Sequence, residues 1–93
     1  MFKRKRGIKL PYNRQGLIYF TCVNIHRQPK AVQNKIKRLC RDVAGRDSEA
    51  LYALLTNDRK NVMAISMEYY VSEKRLYRYR RDFYEAWDAK DCK

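Results

Sequence analysis

Glycine, proline and histidine are scarce in this chain of 93 residues, and their scarcity excludes several architectures and chemistries. With three glycines and two prolines, few residues favour turns, and this composition predicts long secondary-structure elements with short connections. A single histidine, with no glycine-rich phosphate loop and no nucleophile elbow, leaves no catalytic constellation, so we do not expect an enzyme. The length allows one domain with a small core.

Cysteine is also sparse, and its pattern excludes a disulfide framework. Three cysteines form an odd set without paired spacing, which fits reduced thiols in the cytoplasm. Cys22 and Cys40 lie in apolar runs and are expected to be buried, whereas Cys92 lies in a polar tail. Cys22, His26 and Cys40 lack the fourth ligand that tetrahedral zinc requires, so no metal and no other cofactor is expected.

Long apolar runs are missing as well. The longest, residues 17–23, is far too short to cross a bilayer. The basic start, residues 1–6, is followed by a polar stretch, and the later apolar run ends without a small-residue cleavage site. We therefore expect a cytoplasmic protein with no membrane partner.

Acidic residues are absent from the first 41 positions, which hold 12 lysines or arginines. Residues 42–93 hold ten residues of each sign, so the formal net charge of +12 belongs to the N-terminal half. A one-sided basic surface attracts polyanions and releases their counterions on binding. The alternative is a solvated basic face that only keeps the protein soluble.

Apolar residues recur at three- and four-residue steps over much of the chain, which predicts helices. Residues 15–27 are ambiguous between strand and helix, and we predict a helix because a single strand would have no partner. Pro29 suits the first turn of the next helix, and Gly45 suits its C-cap. The N-caps predicted for the later helices are Asp47 or Ser48, then Asp58 for a helix over about 59–69, then Ser72.

These patterns predict an all-α fold of four to five short helices. Residues 1–14 are expected to form a flexible basic arm, residues 15–89 the helical domain, and residues 90–93 a tail. The last helix is expected to run to about Ala89, and its buried face is predicted to hold Leu76, Tyr79 or Arg80, Phe83 and Trp87.

Residues 61–87 hold the most informative pattern: a short apolar helix, a turn, and a long helix with one apolar face and one basic face. Its anchors are Ile65-Ser66 and Tyr69 in the first helix, Val71-Ser72 in the turn, and Leu76 and Tyr79 in the second helix. Over about residues 59–83 the chain resembles the helix-turn-helix family of DNA-binding regulators. Within that family it is most similar to small phage or mobile-element regulators and to region four of bacterial sigma factors.

Two positions depart from that family. Tyr70 stands where glycine is usual, and Ser66 stands where alanine is usual. A tyrosine in the turn must either adopt a positive φ, which is strained for a bulky residue, or use a different turn.

The resemblance implies that exposed positions of the last helix, which would be an extended recognition helix, meet base edges: Ser72, Glu73, Lys74, Tyr77, Arg78 and Arg81. Arginine or lysine pairs with guanine, and glutamate accepts from cytosine. Arg75 and Arg80 flank this face and are expected to touch phosphate. In the arm, Lys3, Arg4, Lys5 and Arg6 either enter a minor groove or add only nonspecific attraction. The alternative for the helix is a solvated charged surface over a small core.

The sequence therefore predicts sequence-specific binding of double-stranded DNA, and the resemblance implies a transcription regulator of a phage or mobile element. A homodimer is compatible with this, since helix-turn-helix proteins often pair on two half-sites. One alternative is binding of RNA or single strands by base stacking on Tyr12, Tyr19 and Phe20. The other is a small phage inhibitor that binds RNA polymerase or another host protein.

Overall fold

The structure, a computed structural model, describes residue 8, residues 10–57 and residues 59–91, and these ranges hold five α-helices and no strand. In chain order the helices are α1 (Tyr12–Val23), α2 (Lys30–Ala44), α3 (Ser48–Thr56), α4 (Val62–Tyr69) and α5 (Glu73–Asp91). Short 3-10 turns, Ile25–Arg27 and Gly45–Asp47, precede α2 and α3. The all-α prediction is confirmed. Among the helices described, none combines the length and the apolar character needed to cross a membrane.

The ambiguous segment at residues 15–27 is helical, as predicted. Its apolar residues Ile18, Cys22 and Ile25 are buried at three- and four-residue steps, the first two on α1 and Ile25 in the 3-10 turn that follows it. The alternation that a half-buried strand needs is absent from its burial pattern.

The folded domain begins before residue 14, where the predicted arm was expected to end. Ile8 and Leu10 are buried, and α1 already starts at Tyr12. The fully buried side chain of Gln15 fixes the backbone before α1, because its Nε2 donates to the carbonyl oxygens of Ile8 at 3.3 Å and Leu10 at 3.0 Å. The arm cations Lys3, Arg4, Lys5 and Arg6 lie outside the described residues.

The main core lies between α1, α2, α3 and α5. The predicted α5 face is confirmed at Leu76, Phe83 and Trp87, and Tyr84, which the sequence pattern did not single out, is buried beside them. Lys35 places its ammonium 3.9 Å from the centre of the Trp87 ring, so the early part of α2 lies against the end of α5. The largest contributions to this core from α1 to α3 come from Ile18, Ile36, Leu39, Leu51 and Leu55.

A second, smaller cluster fixes α4 and the start of α5 on α3. It joins Ala50 of α3 to Val62 and Ile65 of α4, and to Val71 and Leu76. The ring of Tyr79 packs against both clusters, so it couples the α4–α5 pair to the rest of the protein. The position of α5 is therefore set by two apolar contacts at different points along its length.

The ends of α4 and α2 follow local chemistry, and the start of α4 corrects a prediction. The N-cap of α4 is Asn61, whose side chain accepts the N–H of Ala64 at 2.9 Å, so α4 starts later than the predicted residue 59. Asp58, the predicted cap, lies outside the described residues. Gly45 ends α2 as predicted, with φ +56° and ψ −119°, a conformation essentially reserved for glycine.

Candidate nucleic-acid interface

The turn between α4 and α5 contains Tyr70, Val71 and Ser72. Tyr70 has φ +57° and ψ +40°, and it is the one non-glycine residue with positive φ in the described part of the chain. The tyrosine therefore accepts the left-handed conformation rather than a different turn. The N–H of Val71 bonds to the carbonyl of Ser66 at 3.3 Å, which closes the end of α4. The Tyr70 side chain is 94% exposed, so packing does little to offset the backbone strain.

Ser72 starts α5 as the sequence predicts. Its Oγ accepts the backbone N–H of Arg75 at 3.2 Å, and its carbonyl accepts the N–H of Leu76 at 3.0 Å. Glu73 lies in the first turn, where the helix dipole favours a negative charge. The helix then continues through Asp91, past the predicted end at about Ala89.

One face of α5 presents cations to solvent. Lys74, Arg78 and Arg81 recur at four and three residues and lie opposite the buried stripe of Leu76 and Phe83. We call these three residues the α5 cationic face. Seven of the predicted DNA contacts, the N-cap Ser72 and six residues of α5, are exposed: Ser72, Glu73, Lys74, Arg75, Tyr77, Arg78 and Arg81.

The charges of the α5 cationic face are only partly engaged. Lys74 and Arg78 form no ion pair within the described ranges, and the Arg78 guanidinium lies 5.7 Å from the centre of the Tyr79 ring. Arg81 pairs with its neighbour Asp82 at 3.2 Å, in a contact with both side chains nearly half exposed. Such an exposed pair contributes little to stability, so Arg81 is available to an incoming anion at small cost.

Arg75 is paired with Asp47, a residue that the sequence pattern predicts only as a helix N-cap. Its Nη1 lies 3.5 Å from Oδ2 of Asp47, and the hydroxyl of Tyr79 donates to the same oxygen at 2.8 Å. The Asp47 side chain is 15% exposed and makes no capping hydrogen bond to α3. Burial, then the hydrogen bond to Asp47, raises the pKa of Tyr79, which keeps its hydroxyl protonated as a donor. Asp47 therefore anchors the first turns of α5 to the start of α3.

Arg80 does not lie on the exposed face where phosphate contact was predicted. It is half-buried, its Nε is buried without a hydrogen-bond partner among the described residues, and its guanidinium lies 5.1 Å from the Tyr77 ring centre. Burial lowers the pKa of this guanidinium from its ordinary value. On a helix, Arg80 is four residues from Leu76 and three from Phe83, so it belongs to the packed side.

The thiols are placed as inert core residues. Cys22 and Cys40 are both buried; burial raises the pKa of Cys40 to about 12, and burial together with Cys40 raises that of Cys22 further. His26 is exposed in the 3-10 turn after α1. Across residues 8, 10–57 and 59–91, no three histidines, cysteines or acids come together as metal ligands.

Comparison with known proteins adds no relative. This chain matches no protein-family model, no curated protein and no solved structure. The chemistry and placement of its own exposed residues are therefore what indicate a function.

Proposed function

We propose that this protein binds double-stranded DNA and reads its sequence with α5, as a regulator of transcription. The observation that carries the proposal is the α5 cationic face, which a capped helix presents directly after a tight, left-handed turn. Arg78 and Lys74 are long donors free of ion pairs within the described residues, and each has the reach to pair with guanine in a major groove. Glu73 adds an acceptor for cytosine at the same end of the helix.

The support for α5 includes its rigidity as well as its charge. Leu76 and Phe83 anchor it in two separate apolar clusters, and Asp47 holds Tyr79 from the side. A recognition helix must hold its side chains in fixed register against base edges, because misplaced donors lose the bidentate geometry that discriminates bases.

Base stacking on α1 is less well supported. Tyr12 and Phe20 are each 51% exposed, as single-strand binding requires. However, the one cation on α1, Arg14, bonds to Asp88 at 2.6 Å, so this cation is already paired within the fold and is not a free phosphate contact. We therefore place nucleic-acid binding on α5 rather than on α1.

The test is selection of bound duplexes from a randomised pool at about 0.15 M salt, where nonspecific attraction is screened. The wild-type protein should enrich one motif. Arg78→Ala should lose preference at one or two base positions, by about 1–3 kcal/mol for each bidentate contact. Arg38→Ala is the matched control, because it removes one exposed arginine from α2 instead. Failure of the wild-type protein to enrich any motif would refute base reading by α5.

A further inference from the structure

A groove opens between α2 and α3, with a volume of about 570 Å³. It also reaches the last residue of α4. The side chains that give it chemical character are Lys37, Arg41, Ser48, Glu49, Tyr52 and Tyr69. We call it the α2–α3 groove. None of these residues belongs to the α5 cationic face.

The lining of the groove suits a chain of phosphates. Lys37 and Arg41 lie one turn apart on α2, both are exposed, and neither forms an ion pair within the described residues. Glu49 is the one acid that opposes them there. The half-buried Tyr52 and Tyr69 add hydroxyls, and burial raises the pKa of Tyr52, which keeps its hydroxyl a donor. Cations and neutral hydroxyls together are the groups that contact the sugar–phosphate backbone.

The groove lies beside the start of α5. Its lining residue Ser48 follows Asp47, whose carboxylate contacts Arg75 and Tyr79. Another lining residue, Tyr69, directly precedes the turn that leads into α5. A duplex that places bases against the first turns of α5 must carry a backbone strand within reach of one side of that helix, because two strands flank each groove.

We propose that the α2–α3 groove receives the sugar–phosphate backbone of the duplex that α5 reads, with Lys37 and Arg41 as its phosphate contacts. The inference rests on the proposed DNA binding. Phosphate contacts carry no sequence information, however, so this surface is testable with any duplex, whether or not α5 discriminates bases.

The experiment compares two double variants of the full chain on one fixed duplex of arbitrary sequence. Lys37→Ala with Arg41→Ala removes both groove cations. Lys30→Ala with Arg38→Ala removes two exposed cations of the same helix that do not line the groove. Affinity is measured between about 50 and 200 mM salt.

The groove variant should lower the magnitude of the salt slope by about 1.8, the share of two phosphates, and weaken binding by roughly 30-fold at 0.15 M salt. The control should change the slope far less. Equal losses in both variants would show an effect of net charge alone and would overturn the groove proposal. So would an unchanged slope in the groove variant. Base preference is measured separately, by the selection from a randomised pool. An enriched motif together with an unchanged salt slope in the groove variant refutes the groove alone, whereas a lowered slope without any enriched motif refutes the base reading alone.

A second variant removes the concern that lost binding reflects lost folding. Glu49→Gln neutralises the acid in the groove and should strengthen binding to the same duplex about two- to fivefold, the effect of one exposed charge. Asp42→Asn, an exposed acid of α2 outside the groove, is the matched control. A gain in the control equal to that in Glu49→Gln would overturn the assignment of the groove.

Discussion

The strained turn at Tyr70 offers the sharpest test of how this sequence makes its fold. An L-residue in the left-handed region costs about 1–2 kcal/mol, and glycine has no such cost. Glycine loses about 0.5–1 kcal/mol through its larger backbone entropy in the unfolded chain. Because the Tyr70 side chain is 94% exposed, its removal sacrifices little packing. Tyr70→Gly should therefore raise the free energy of unfolding by about 0.5–1 kcal/mol, or Tm by about 2–8 °C.

Tyr70→Ala separates backbone strain from loss of an exposed ring. Alanine keeps the Cβ that clashes at positive φ, so it should give no gain, and thermal unfolding followed by circular dichroism measures both variants. An equal gain for alanine and glycine would show that the exposed phenol, rather than the φ of +57°, is the destabilising feature. A loss of stability in Tyr70→Gly would refute the strain argument itself.

Two further predictions concern buried titratable and charged groups. Arg80→Met should raise the free energy of unfolding by up to about 1 kcal/mol, because it removes a buried Nε donor that has no partner within the described residues. Urea unfolding measures this change, with Arg81→Met as the exposed control. A loss of stability above about 1 kcal/mol in Arg80→Met would contradict the prediction. Stability should hold below pH 9 and fall above it, because the unfolded chain releases the protons of Cys22, Cys40 and Tyr84 near their ordinary pKa values while burial keeps them bound in the folded protein. Each group lowers the free energy of unfolding by up to about 1.4 kcal/mol per pH unit. Cys40→Ala should make this decline in stability with pH shallower. A constant free energy of unfolding from pH 8 to about 10.5 would be inconsistent with these burial effects.

Local patterns in the sequence determined the helices and much of their buried faces. The three- and four-residue steps predicted Leu76, Phe83 and Trp87 on the buried face of α5, because one turn of helix brings such residues to one side. Ser72 and Gly45 were predictable for the same reason, since a cap depends on hydrogen bonds and dihedral angles within a few residues. The exposure of Lys74 and Arg78 followed from their places opposite that buried stripe.

Only the tertiary structure decided which polar residues meet across the fold. Asp47 contacts Tyr79, 32 residues away, and no local pattern distinguishes that partnership from an ordinary helix cap. Packing also put Gln15 in the core against Ile8 and Leu10, and turned Arg80 inward. The α2–α3 groove likewise exists because α2, α3 and the end of α4 leave a gap where they meet. Sequence periodicity fixes which face of each helix is apolar, whereas the angles and distances between helices depend on how all the side chains pack together.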